Sequence, residues 1–232
     1  MSIFSAGIAV LIALVAVASW RLQKLTEAGA ACGACIGWAL LGGMGVTALI
    51  FMAVFFVSAV VATSIGKKGT GRRHNELGLE RRTAGQVLAN GGLAGLFGFA
   101  GLLWPVHQPI LLLLTAAAFS SATADTVSSE LGSRYGKRFY HVLTFRPDTK
   151  GLDGVISLEG TLFGIGGSLL IAFAYSTATG QWSALPVVLI CGTFGNVLDS
   201  VLGAILERRG FIGNNVVNFL NTLGAALLAL IL

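Results

Sequence analysis

All 15 Lys and Arg residues of this 232-residue chain fall into four short segments, and long apolar runs separate those segments. Arg21 and Lys24 follow the first run, and Lys67, Lys68, Arg72, Arg73, Arg81 and Arg82 follow the third. Arg134, Lys137, Arg138, Arg146 and Lys150 follow the fifth, and Arg208 and Arg209 follow the seventh. The other connections ("GG", "PVHQP", "STATGQWSALP") and both ends carry none. Runs near the ~20 apolar residues that a bilayer requires read as spanning helices. Their continuously apolar character, without alternation, points away from a β-barrel. The positive-inside rule then puts all four basic connections in the cytoplasm and both termini on the opposite side.

The expected spans are 2–20, 28–43, 46–65, 84–104, 109–126, 157–176, 184–206 and 215–232. The second is short and Gly-rich, so seven or eight crossings fit. The fold class is all-α, a polytopic helical bundle forming a single transmembrane domain over residues 1–232. Only 11% of residues are charged, against about 25% in soluble domains, and 32 glycines suit close helix packing in lipid. The N-terminal run has no Lys or Arg before it and reads as a retained span, not a cleaved signal. Cys32 and Cys35 form C-x-x-C among small residues and read as packing, as does Cys191. The basic balance reflects topology and anionic headgroups or a polyanionic substrate, not nucleic acid.

Ten acids remain to be placed. Glu27, Glu76, Glu80 and Asp148 lie in or beside basic connections, where solvation or ion pairing accounts for them. Asp125, Glu130, Asp153, Glu159, Asp199 and Glu207 fall at the cytoplasmic ends of spans five, six and seven, each among small or polar residues. A carboxylate in a membrane segment costs roughly 2.5–3.5 kcal/mol near the centre and is seldom kept without a use. Asp125, Ser128, Ser129 and Gly132 share their spacing with Asn196, Asp199, Ser200 and Gly203, a hint of an internal repeat. Thr83, Gln86 and Asn90 share one helix face, and Asn214, Asn218 and Asn221 share another; interhelical hydrogen bonding would explain either equally well.

Carboxylates beside Lys and Arg, with glycines that admit backbone amides, suit a polyphosphate bound with Mg²⁺. This ion takes one or two carboxylates plus phosphate oxygens and water. The sequence has no P-loop, nucleophile elbow, H-E-x-x-H or Cys/His zinc spacing. His74 and His141 lie in connections and His107 at the other end, so a histidine-centred mechanism has little support. Without a soluble nucleotide domain, phosphate chemistry would sit at the helix ends, and a lipid would be the natural second substrate.

"RRTAGQVLANGG", "ADTVSSELG", "TKGLDGVISLEGTLFG", "GNVLDSVLGAILERRG" and "NNVVNFLNTLGA" resemble, in order, the signatures of the membrane family called domain of unknown function 92. That family includes a plant phytyl-phosphate kinase of the vitamin E (tocopherol) pathway and the animal transmembrane protein 19. More distantly, Asp125, Gly132, Gly136 and Lys137, then Ser157, Glu159, Gly160 and Thr161, are similar to the paired motifs of CTP-using phytol and dolichol kinases, with Ala124 where those have Gly. The resemblance implies phosphorylation of a prenyl monophosphate by a nucleoside triphosphate, with CTP favoured and Mg²⁺ as cofactor, in a bacterial plasma membrane or an organellar one. It implies Asp125, Asp199, Glu159 and Lys150 as catalytic, with Asp125, Asp199 and Asn196 on the metal and Glu159 supporting. Arg82, Lys137 and Lys150 would hold phosphates. Asn90, Ser129, Gly132, Asp153, Gly154, Ser157, Gly160, Thr161, Ser200 and Asn218 would line the site, and the prenyl tail would run along Gly160, Gly164 and Gly167 or find those glycines closed by packing. Two other readings stand beside the kinase: a transporter of a phosphorylated or ionic solute, which needs a polar path to the far side, and cytidylyl transfer to a lipid phosphate.

Overall fold

The computed structural model describes residues 3–67 and 81–232. Lys68, Arg72 and Arg73 of the second basic cluster, with His74, Glu76 and Glu80, lie outside the described residues. Eight α-helices follow one another among the described residues: α1 (Ile3–Arg21), α2 (Glu27–Met44), α3 (Val46–Lys67), α4 (Ala84–Leu103), α5 (Gln108–Tyr135), α6 (Leu158–Thr179), α7 (Leu185–Leu202) and α8 (Asn214–Ala229). Six, α2 to α7, are long and apolar enough to cross a membrane; α1 is also apolar, and α8 spans 16 residues. Exposed Leu96, Phe99, Leu162 and Phe173 present apolar side chains outward, as a surface facing lipid does.

Two helices differ from the expected spans in ways that matter. α5 does not stop near residue 126 but continues to Tyr135, so Ser129, Glu130 and Gly132 are helical and extend the Asp125 face. α7 closes with a π-helical turn, Gly203–Glu207, an irregularity often found at functional sites. The 136–157 connection holds a short antiparallel pair, β1 (Tyr140–His141) with β2 (Val155–Ile156), which the all-helical expectation did not include. Gly154, at φ +75°, lies so close to Ala204 that a Cβ would collide with it. That contact seats the connection against the π turn.

α5 is the central helix, packed by α3, α4, α6, α7 and α8. Phe51, Phe55, Phe119, Ile171, Tyr175 and Val188 form one buried cluster, and Leu93, Ala117, Ala118, Cys191 and Ala225 a second. Cys191 is thus packing. α2 and α4 run parallel in near backbone contact, where a methyl at Gly98 would sit 2.7 Å from Ala39 C and Leu40 N. The basic connections gather at one end: Leu25 bridges to Arg82, joining the first to the second, and Arg208 pairs with Asp148 at 2.6 Å, joining the fourth to the 136–157 segment.

Candidate functional site

At that basic end a cavity of about 380 Å³ opens among α3 to α8. Three helices begin at its wall: α4 through Gln86, α6 through Ser157 and Gly160, and α8 through Asn214 and Asn218. Each N-terminus brings the positive end of its dipole to this wall. Thr83 closes α4 in a capping box with Gln86, and the Ser157 hydroxyl accepts from Gly160 N at 3.1 Å. α8 starts at Gly213 with no side-chain cap, so its first amides carry no such internal partner.

α5 and α7 contribute the acids. The carboxyl groups of Asp125 and Asp199 face each other within hydrogen-bonding reach. Asn221 Nδ2 donates to Asp199 Oδ1 at 2.7 Å, and the Ser121 hydroxyl donates to Asn221 Oδ1 at 2.9 Å. Asp199 is therefore aimed by a buried relay that ends in the core. Asn196 is buried beside them, its amide against Gly164. Arg82 reaches the same cavity from the α3–α4 connection. Burial pulls its guanidinium below the ordinary value, while the charges of Glu130 and Asp125 act to raise it. Thr63 of α3 donates to Glu130 Oε1 at 2.9 Å.

Of the residues singled out from sequence, Arg82, Asn90, Asp125, Ser129, Gly132, Asp153, Gly154, Ser157, Gly160, Asn196, Asp199, Ser200 and Asn218 line this one cavity. Lys137, Lys150, Glu159 and Thr161 do not line it. Glu159, second residue of α6, accepts from Lys137 N at 3.4 Å, and the Thr161 hydroxyl is spent on Ser157 O at 3.0 Å. Lys137 and Lys150 are exposed, and Lys150 Nζ stands 5.8 Å over the ring of Phe139, which does line the cavity. The glycine face of α6 is closed by packing: Gly160 meets Gly132, Gly164 meets Ser128 and Asn196, and Gly167 meets Ala124. No prenyl tail fits along it. Sequence reasoning left Gln86 and Asn221 out of the site although both stand on the polar faces it recognised. Thr63 gave no signal, because nothing local announces that α3 packs beside α5.

The donor set suits a hard cation. Asp125, Asp199 and Asn196 offer oxygens, and the buried Asn90 Oδ1 and Asn218 Oδ1 have no hydrogen-bond partner. Among the described residues no three His, Cys, Asp or Glu side chains converge to hold a metal alone. A cation here would draw its remaining ligands from phosphate and water, as Mg²⁺ does. Adjoining carboxylates are costly to bury unless positive charge joins them.

The architecture is thus an integral membrane helical bundle with a polar, acid-bearing cavity at one end. The profile of the integral membrane protein family DUF92 matches residues 10–226, and the chain belongs to that family. It is 33% identical over 199 residues to an uncharacterized membrane protein, sll0875, of Synechocystis, covering 82% of this chain and 74% of that one. It is 31% identical to uncharacterized membrane protein MJ0933 of Methanocaldococcus jannaschii, over 85% and 81% of the two chains. It is 27% identical to Protein VTE6, chloroplastic, of Arabidopsis thaliana, over 90% of this chain and 65% of that protein. No solved structure matches the chain.

Proposed function

We propose that this protein is a membrane-embedded prenyl-phosphate kinase, transferring a phosphoryl group from a nucleoside triphosphate, with CTP favoured, to a prenyl monophosphate on the cytoplasmic face. The observation that carries the reading is the facing pair Asp125 and Asp199 in a cavity ringed by three helix N-termini and Arg82. Such a cavity matches a triphosphate and a monophosphate better than any neutral ligand. Membership of the DUF92 family and the similarity to Protein VTE6, chloroplastic, support the same reading, alongside the resemblance of this chain's five motifs to that family's signatures.

Asp125 and Asp199, with Asn196, would hold Mg²⁺, which when bound supplies neutralisation of charge on the phosphoryl oxygens. Arg82 and the amides at the starts of α6 and α8 bind and orient the phosphates, and Asn90 and Asn218 fix the acceptor's position. An oxygen of the prenyl phosphate forms a bond to the γ-phosphorus while the bond from that phosphorus to the β–γ bridging oxygen breaks. The products are the prenyl diphosphate and a nucleoside diphosphate. The acceptor oxygen is already anionic at neutral pH, so no general base is required, and positioning supplies most of the catalysis.

A transporter would need the polar cavity to continue across the bundle. Beneath it Ser120 and Ser121 press on Gly192 and Gly195 so closely that neither glycine has room for a methyl, which favours a closed floor. The test is purified protein in detergent with Mg²⁺, γ-labelled CTP or ATP and phytyl or geranylgeranyl phosphate. Label is expected in the lipid, lost in Asp125→Ala and Asp199→Ala. Pyrophosphate release in its place would establish cytidylyl transfer, and no transfer from folded protein would sink both.

A further inference from the structure

A second, apolar cavity of about 60 Å³ adjoins the polar one and shares Arg82, Gln86 and Asn90 with it. Its remaining wall comes from α2, α3, α4 and α5, on the side of the bundle away from α6 and α7. Gly33, Ile36, Phe55, Gly91 and Phe119 are buried along it, whereas Met52 and Phe56 are half-buried at its outer edge.

Gly33 is the informative position. It is a buried helical glycine, yet a Cβ placed there meets no atom within 4 Å. Buried glycines elsewhere in α2 are filled by neighbours: Gly37 meets Ile12 at 3.1 Å, and Gly43 meets the backbone of Gly98. The gap at Gly33 is therefore a cleft at the mouth of a charged cavity, not helix packing. Phe55 and Phe119, with rings stacked 5.7 Å apart, hold one wall in place.

We propose that this cleft is the exit for the apolar chain of a lipid phosphate. The phosphate lies by Arg82 in the polar cavity, the first carbons pass Gly33, Phe55 and Gly91, and the rest of the tail enters the bilayer past Met52 and Phe56. The proposal rests on the reading of the polar cavity as a lipid-phosphate site. Its occupant follows from continuity: a ligand with an anionic head and an apolar tail satisfies both cavities at once, and a free phosphate leaves the second unfilled. Only the carbons nearest the phosphate are enclosed, so the cleft reads the shape of the chain's first unit and not its length.

The test is photolabelling of the full-length protein in detergent with an alkyl phosphate that carries a diazirine within its first few carbons, followed by peptide mapping. Label is expected on the α2 and α3 peptides containing Gly33, Met52, Phe55 and Phe56, displaced by unmodified alkyl phosphate far better than by inorganic phosphate. Gly33→Phe, which fills the cleft, is expected to lower labelling by about tenfold or more, the scale of a blocked apolar pocket. Gly166→Phe, at an exposed α6 position with open space around it, is expected to leave labelling unchanged. Label concentrated on α6, equal displacement by inorganic phosphate, or full labelling of folded Gly33→Phe would each overturn the proposal. The wild-type map decides even if that variant does not fold. Turnover is not read, so intact labelling without phosphoryl transfer would sink the kinase reading and leave the cleft standing.

Discussion

Two glycine-rich helix contacts in this bundle look alike in composition and differ in what they hold. Where α2 meets α4, Gly43, Gly98 and Gly101 let two backbones touch, each glycine facing backbone atoms of the other helix. Where α5 meets α6 and α7, Gly164, Gly192 and Gly195 instead make room for Asn196, Ser120 and Ser121. The first contact substitutes van der Waals packing for the hydrophobic effect that lipid cannot supply. The second makes room for a polar interior, with Asn221 and Asp199 tied into it. The lesson is that a small residue in a membrane helix is defined by what faces it.

Substitutions can break this comparison at either contact. The largest effect is expected from Asp199→Asn, which keeps the shape of the site and removes a charge: transfer should fall by about 10²–10³-fold, the scale of a lost electrostatic contact. Its melting temperature in detergent should stay near that of the wild type, and a comparable loss of stability would merge the two regions into one. Gly98→Leu should do the reverse, destabilising by about 1–3 kcal/mol or more through overpacking, with kcat of the folded fraction unchanged. Asn221→Ala joins the two behaviours, because its side chain is fully buried and aims Asp199. It should cost about 1–3 kcal/mol and reduce kcat by about tenfold, with KM for nucleotide little changed; unchanged kcat would remove Asn221 as a positioning residue.

The smallest effect is at the rim, where Arg208 pairs with Asp148. The Arg208 hydrogen bond holds the Asp148 carboxyl below its ordinary value, and Asp148 in turn raises Arg208. A depressed carboxylate contributes stability above its unfolded pKa, about 3.9, and loses it as pH falls through the folded value. The melting difference between wild type and Asp148→Ala should be small at neutral pH and vanish below that carboxylate range. A difference that persists in acid would mean Asp148 acts through packing.

Much of the fold was legible because its signals are local. Apolar run length, the confinement of Lys and Arg to alternate connections, and the absence of alternation each act within one helix and its ends. Helical spacing likewise grouped Asn90 with Gln86 and Asn218 with Asn221. The failures share a cause. Glu159, Lys137, Lys150 and Thr161 sit in the right motifs but lie off the cavity wall, since the turn into α6 uses Glu159 and Thr161 for its own backbone contacts. Neither the extension of α5 to Tyr135 nor the pairing of β1 with β2 leaves a hydropathy signal.

By itself the sequence determined that this chain is a helical membrane bundle with its Lys and Arg confined to alternate connections and most of its acids near them. Those properties follow from transfer energies of single segments into lipid, which depend on composition and not on neighbours. Only the tertiary structure decided that Asp125 meets Asp199, that Gly164 is closed while Gly33 is open, and that Thr63 and Asn221 stand at or behind the site. Those facts depend on how helices distant in sequence rotate and approach, and rotation is set by the mutual fit of whole surfaces.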